Sequence, residues 1–153
     1  MVLVSMAPTG PKPPAPPSAA AEVVAMNETP ASPTVLIVED NWLVALDLEA
    51  ALIEADYRVS GIAVSADEAM SACEQLRPDV ILMDIRLLGE RDGIDAVIEA
   101  RQRFDIPTIF LSAHDDQQFR DRAAEARPLG WLSKPLAPDR VIAALGSLLT
   151  ARQ

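Results

Sequence analysis

The chain has 153 residues, half of them hydrophobic and 24% charged, which predicts one packed domain rather than two. Its 23 acidic residues against 13 basic ones give a net charge of −10, a balance that would repel a phosphate backbone and so excludes direct nucleic-acid binding from the expected functions. Cys73 is the single cysteine, the opening Met1-Val2-Leu3-Val4-Ser5 lacks the order of a secretory signal, and no apolar run reaches the ~18 residues that span a bilayer, so a cytoplasmic protein without membrane insertion is expected.

Residues 1–33 carry Pro8, Pro11, Pro13, Pro14, Pro16, Pro17, Pro30 and Pro33 among Ala and Ser. Missing N–H donors and fixed φ values block helix and sheet there, which predicts a disordered tail ahead of a folded domain over 34–153. A polyproline II ligand is the sharper alternative and rests on composition alone.

Val35-Leu36-Ile37-Val38 is apolar at every position, as a parallel strand buried on both faces should be. Asn41 to Ala55 lacks Gly and Pro and reads as the first helix, with Asp40 a candidate for its cap. Val59 to Val64 reads as the second strand, and Ser65 with Glu68 forms a capping box that opens a helix closed before Pro78. The third strand is Val80-Ile81-Leu82-Met83 and the third helix Ile94 to Phe104. Thr108 to Leu111 is the fourth strand, Asp115 to Ala126 a helix by propensity, and Trp131-Leu132-Ser133 a short fifth strand. Pro138 is suited to the first turn of a last helix running to about Thr150. This alternation predicts a three-layer α/β/α sandwich around a five-stranded parallel sheet, for which the flavodoxin-like order 2-1-3-4-5 is a common arrangement.

Ligands of such folds bind beyond the carboxyl ends of the strands. Glu39 and Asp40 follow strand one there, Asp84 strand three, Ser112 strand four, and Lys134 with Pro135 strand five. Three converging carboxylates repel one another unless a cation intervenes, and an all-oxygen donor set favours Mg²⁺ or Mn²⁺ over zinc. A carboxylate can attack phosphorus, so Asp84 is the candidate nucleophile, Lys134 the charge that balances it, and Ser112 a donor to a phosphoryl oxygen.

In this order, Glu39-Asp40, Asp84, Ser112 and Lys134-Pro135 closely resemble the receiver domain of two-component response regulators, over roughly Thr34 to Thr150. The resemblance implies that Asp84 is phosphorylated and that Glu39, Asp40, Asp84 and the Arg86 carbonyl hold Mg²⁺. It also implies that Ser112 and Trp131 are switch residues, that Lys134 acts in phosphoryl transfer, and that the Lys134–Pro135 bond is cis. The expected donor is a histidine kinase or histidine phosphotransfer protein. With no output domain expected after the last helix, the target would be a separate, unidentified protein, and a homodimer is a further candidate assembly. The protein would be a phosphoacceptor that catalyses its own loading and unloading, not an enzyme acting on other substrates.

Departures from the family pattern are Leu88 where Pro is common, Asp92-Gly93 one residue late, an Ala126 to Trp131 segment without the usual Gly-Ala run, and Leu136 where Phe is frequent. His114 could tune phosphoryl lifetime but reads first as an exposed loop residue, Cys73 reads as a small core residue, and Trp42 as packing. A receiver-like interaction module with little phosphate turnover is the main rival reading. A haloacid-dehalogenase-like phosphatase would need an acid where Arg86 stands, and a dinucleotide site would need glycines where Glu39-Asp40 stands.

Overall fold

The computed structural model of the chain describes residues 32–85, 93–112 and 117–152. Arg86, Leu88, Asp92, His114 and the Pro-rich segment through Ala31 lie outside them. The elements in chain order are β1 (Thr34–Val38), α1 (Trp42–Glu54), β2 (Arg58–Ala63), α2 (Ala66–Leu76), β3 (Val80–Asp84) and α3 (Gly93–Phe104). They continue with β4 (Thr108–Ser112), α4 (Gln117–Ala123), a 3₁₀ turn (Ala124–Ala126), β5 (Gly130–Ser133) and α5 (Pro138–Arg152).

All strand pairs are parallel and the sheet order is β2-β1-β3-β4-β5, the expected 2-1-3-4-5. Every residue of β3 and β4 is buried, because the sheet is covered on both faces. Successive side chains divide between two apolar layers. Val35, Ile37, Val80, Leu82, Ile109 and Leu111 pack with Ala45, Leu48 and Leu52 of α1 and Val141 and Leu145 of α5. Leu36, Val38, Ile81, Met83 and Phe110 pack on the other side with α2, α3 and the end of α4. Full burial of each such Val, Leu, Ile or Phe contributes about 1.5–3 kcal/mol, which fixes strand register and so the positions of the strand ends.

Most element ends lie within a residue or two of the sequence reading, and three local features differ in an informative way. The second strand runs one residue earlier, over Arg58–Ala63, with a register shift between Val35 and Leu36. The fourth helix ends at Ala123 instead of Ala126, because its last turn tightens into 3₁₀ geometry before Arg127 turns left-handed. The capping box at Ser65 forms in part: its Oγ accepts the Glu68 N–H at 3.1 Å, but the Glu68 carboxylate accepts from Val64, one residue before the cap, at 3.0 Å.

Asp56, Arg77, Asp105 and Arg127 have φ of 70°, 46°, 55° and 49°, and each stands between a helix and the next strand. This left-handed place after a helix is normally given to glycine. The Arg77 N–H donates to the Cys73 carbonyl at 3.1 Å, and its side chain lies 4.3 Å over the Phe104 ring.

Candidate functional site

The site is assembled by backbone bonds at the carboxyl ends of the strands. The Glu39 N–H donates to the Ala63 carbonyl at 3.0 Å, extending the β1–β2 pairing by one residue, and the Lys134 N–H donates to the Ser112 carbonyl at 2.7 Å, extending β4–β5. Asp84 closes β3 and Ser112 closes β4, both buried. The Lys134–Pro135 bond is cis.

Glu39 is fully buried. Its Oε1 accepts the Asn41 N–H at 3.1 Å and its Oε2 lies 2.9 Å from Lys134 Nζ. The same ammonium donates to Asp84 Oδ2 at 3.2 Å, so Lys134 bridges two carboxylates where the sequence suggested one. Burial raises the Glu39 pKa, opposed by the Lys134 hydrogen bond and assisted by the Asp84 charge. Burial works against the Lys134 charge, but its bonds and attraction to Glu39 and Asp84 outweigh that and raise its pKa.

Helix α1 is capped by Asn41 and not by Asp40. Asn41 Oδ1 accepts from Leu43 at 3.1 Å and Val44 at 3.3 Å. Asp40 is half-buried, and one carboxylate oxygen from each of Glu39, Asp40 and Asp84 lies within 4.8 Å of the others. Three carboxylates face one ammonium, which leaves an excess of negative charge, and every donor is oxygen. Both features fit a small hard cation such as Mg²⁺ or Mn²⁺. The Arg86 carbonyl lies outside the described residues.

Trp131 is half-buried on β5 and stacks on Phe110 of β4 at 4.6 Å between centroids, with an interplanar angle of 26°. Its other neighbour is the Arg120 guanidinium, 4.5 Å from the ring. Leu136 packs against the α1/α5 layer and Cys73 is buried in the other, as a packing role for each requires. Trp42 does not pack: it is 54% exposed, with Leu43 beside it at 75%. Helix α1 is apolar on both faces, so the pattern alone could not tell which face was covered.

In the sequence Gly93 stands out only for its spacing. A Cβ on it would stand 2.7 Å from the Asp84 carbonyl oxygen and 3.1 Å from Ile85 Cα, so α3 begins against the backbone of the strand end that carries Asp84.

A doubly wound parallel sheet with an acidic trio and one bridging lysine at its carboxyl rim defines a receiver-type domain. Residues 35–146 match the response regulator receiver domain family, and the chain belongs to that family. It is 35% identical over 120 residues to the phyllosphere-induced regulator PhyR of Methylorubrum extorquens, covering 78% of this chain and 44% of PhyR. It is 34% identical over 116 residues to the chemotaxis protein CheY of Thermotoga maritima, covering 74% of this chain and 95% of CheY. The signal receiver domain of a modulated diguanylate cyclase from Desulfovibrio desulfuricans superposes with a TM-score of 0.73 at 33% identity, covering 78% of this chain and 95% of that domain. The chain spans about half the length of the first curated relatives it matches. No helix among the described residues is long and apolar enough to cross a membrane.

Proposed function

We propose that this receiver accepts a phosphoryl group on Asp84 from a phosphohistidine of a histidine kinase or histidine phosphotransfer protein, and that the loaded form controls a separate partner protein in the cytoplasm. The observation that carries the reading is the position of Lys134, whose single ammonium bridges Asp84 and the buried Glu39 inside a trio of carboxylates. An Asp84 carboxylate oxygen attacks phosphorus and the new O–P bond forms as the donor N–P bond breaks. The donor imidazole keeps the electron pair and then takes a proton from water.

Glu39, Asp40 and Asp84 would hold Mg²⁺ or Mn²⁺, with the Arg86 carbonyl as the fourth donor suggested by the family resemblance, and the cation would neutralise charge on the transferring oxygens. Lys134 stays anchored on Glu39 while its remaining donors turn from Asp84 to the phosphoryl oxygens. Ser112 donates to one of those oxygens and so registers their arrival. Hydrolysis of the acyl phosphate resets the site, so the protein turns over its own modification and no external substrate.

Intact mass measurement after treatment with acetyl phosphate and Mg²⁺ tests this. Wild type is expected to gain one phosphoryl group and Asp84→Asn none. Equal labelling of the Asn variant would exclude Asp84 as the acceptor, and an unlabelled wild type would favour the interaction module with little turnover.

A further inference from the structure

Trp131 is covered on both sides. Phe110 of β4 forms its floor and the Arg120 guanidinium of α4 lies over it. Helix α4 is also tied elsewhere, because Arg122 pairs with Asp95 in the first turn of α3 at 2.8 Å. Along the sheet, Phe110 pairs with Trp131 and Ser112 with Ser133, so the floor of the stack and the Ser112 hydroxyl belong to one strand segment, two residues apart.

These contacts join the phosphoryl pocket to α4 through one ring. If Ser112 shifts toward a loaded Asp84, the end of β4 moves with it and the ring must re-seat on Phe110. Re-seating separates it from Arg120, because that cation is carried by a different element and is anchored to α3 through Arg122. We propose that Arg120 is a positioning residue that holds Trp131 in its resting place and thereby opposes conversion to the loaded conformation. The proposal rests on the reading of Asp84 as phosphoacceptor.

By linkage, an interaction present only in the resting state weakens binding of a phosphoryl mimic by the factor with which it favours that state. A cation–π contact at a partly exposed site supplies about a two- to five-fold factor. The test uses the full chain carrying Trp42→Phe, so that Trp131 is the only tryptophan left of the 2 present. Beryllofluoride with Mg²⁺ is titrated by fluorine NMR, and Trp131 is followed by acrylamide quenching. Arg120→Met keeps the length of the side chain and removes the charge, while Arg120→Lys keeps a cation.

The Met variant is expected to bind beryllofluoride about two- to five-fold more tightly with Trp131 more quenchable at rest, and the Lys variant to return toward the parent. A merely structural role would lower the melting temperature without tightening the mimic. Unchanged or weaker binding by the Met variant, or a Lys variant that behaves as Met, overturns the proposal while leaving Asp84 phosphorylation standing. A parent that neither binds beryllofluoride nor takes a phosphoryl group from acetyl phosphate overturns the phosphoacceptor reading and this proposal with it.

Discussion

The Lys134 N–H and the Ser112 carbonyl are joined by a 2.7 Å hydrogen bond, which ties the amine and the hydroxyl of the site to one another through backbone alone. Removing the hydroxyl leaves that bond untouched. Ser112→Ala should therefore still accept a phosphoryl group on Asp84, because Lys134 and the carboxylates keep their places. Its response at a distance should be blunted, since the donor to the new phosphoryl oxygen is gone. Hydrogen exchange with and without phosphorylation checks this, and protection changes across α4, β5 and α5 that match wild type would disprove the coupling.

Asp40 caps no helix and sits in the acidic trio, so Asp40→Ala should weaken Mg²⁺ binding about tenfold or more with little loss of fold stability. Trp42 stands two residues further on and is exposed. In a Trp131→Phe background its emission should respond to Mg²⁺ and return to its starting value when a chelator removes the metal. Unchanged affinity in the Ala variant would move the cation elsewhere.

Gly93 and Gly146 should respond oppositely to alanine. Alanine is the better helix former by about 1 kcal/mol, and at Gly146 the nearest atom to a new Cβ is Tyr57 Oη at 3.9 Å, an ordinary contact. At Gly93 the obstacle is the Asp84 carbonyl oxygen at 2.7 Å, which is backbone and cannot swing aside. Gly146→Ala should raise stability by about 0.5–1 kcal/mol, whereas Gly93→Ala should lower it by about 1–3 kcal/mol and slow phosphorylation by moving Asp84. Urea titration of both variants decides it, and a stabilised Gly93→Ala would refute the close approach.

Cys73 is fully buried in the layer beneath α2, and burial pushes its thiol from 9.0 up to about 11. At pH 9 an unshifted thiol is half ionised, while this one is about one part in a hundred, so thiol reagents should label it only when the protein is unfolded. The folded state holds this proton more tightly than the unfolded state does. The resulting stability is complete below pH 9 and is lost as pH rises toward about 11, by roughly 2–3 kcal/mol in all. Cys73→Ala should lack this component in a stability profile over that range, and identical alkaline slopes for the two proteins would contradict it.

The central strands were legible because Val35 to Val38, Val80 to Met83 and Thr108 to Leu111 are apolar at nearly every position, which only a sheet covered on both faces tolerates. The residues that end these strands are the candidate site residues, and Glu39, Asp40, Asp84 and Lys134 do come together in the fold. Helix ends were harder to read because Arg77, Asp105 and Arg127 take the left-handed turn that glycine would have signalled. Asp40 and Asn41 are both good caps, and the choice between them is made by backbone geometry. The bridge from Lys134 to Glu39 joins opposite ends of the fold's sequence, and no local pattern encodes it. The same holds for Arg120, an ordinary surface arginine until α4 and β5 are brought together.

The alternation along β3 and β4 has a consequence for how a charge at this rim is felt. Leu82 faces α1 and α5 while Phe110 faces α2, α3 and α4, and Asp84 and Ser112 each lie two residues further along the same strand. With a period of two, the Asp84 carboxylate and the Ser112 hydroxyl belong to opposite sides of the sheet and approach one another only where the strands stop. If Asp84 is the phosphoacceptor, a group added on one side of the sheet would be met from the other at its open end, beside the Lys134 N–H to Ser112 carbonyl bond. The close-packed middle would then keep one arrangement, and the cost of such a change would fall on side chains at the rim and on α4, whose Arg120 lies over Trp131.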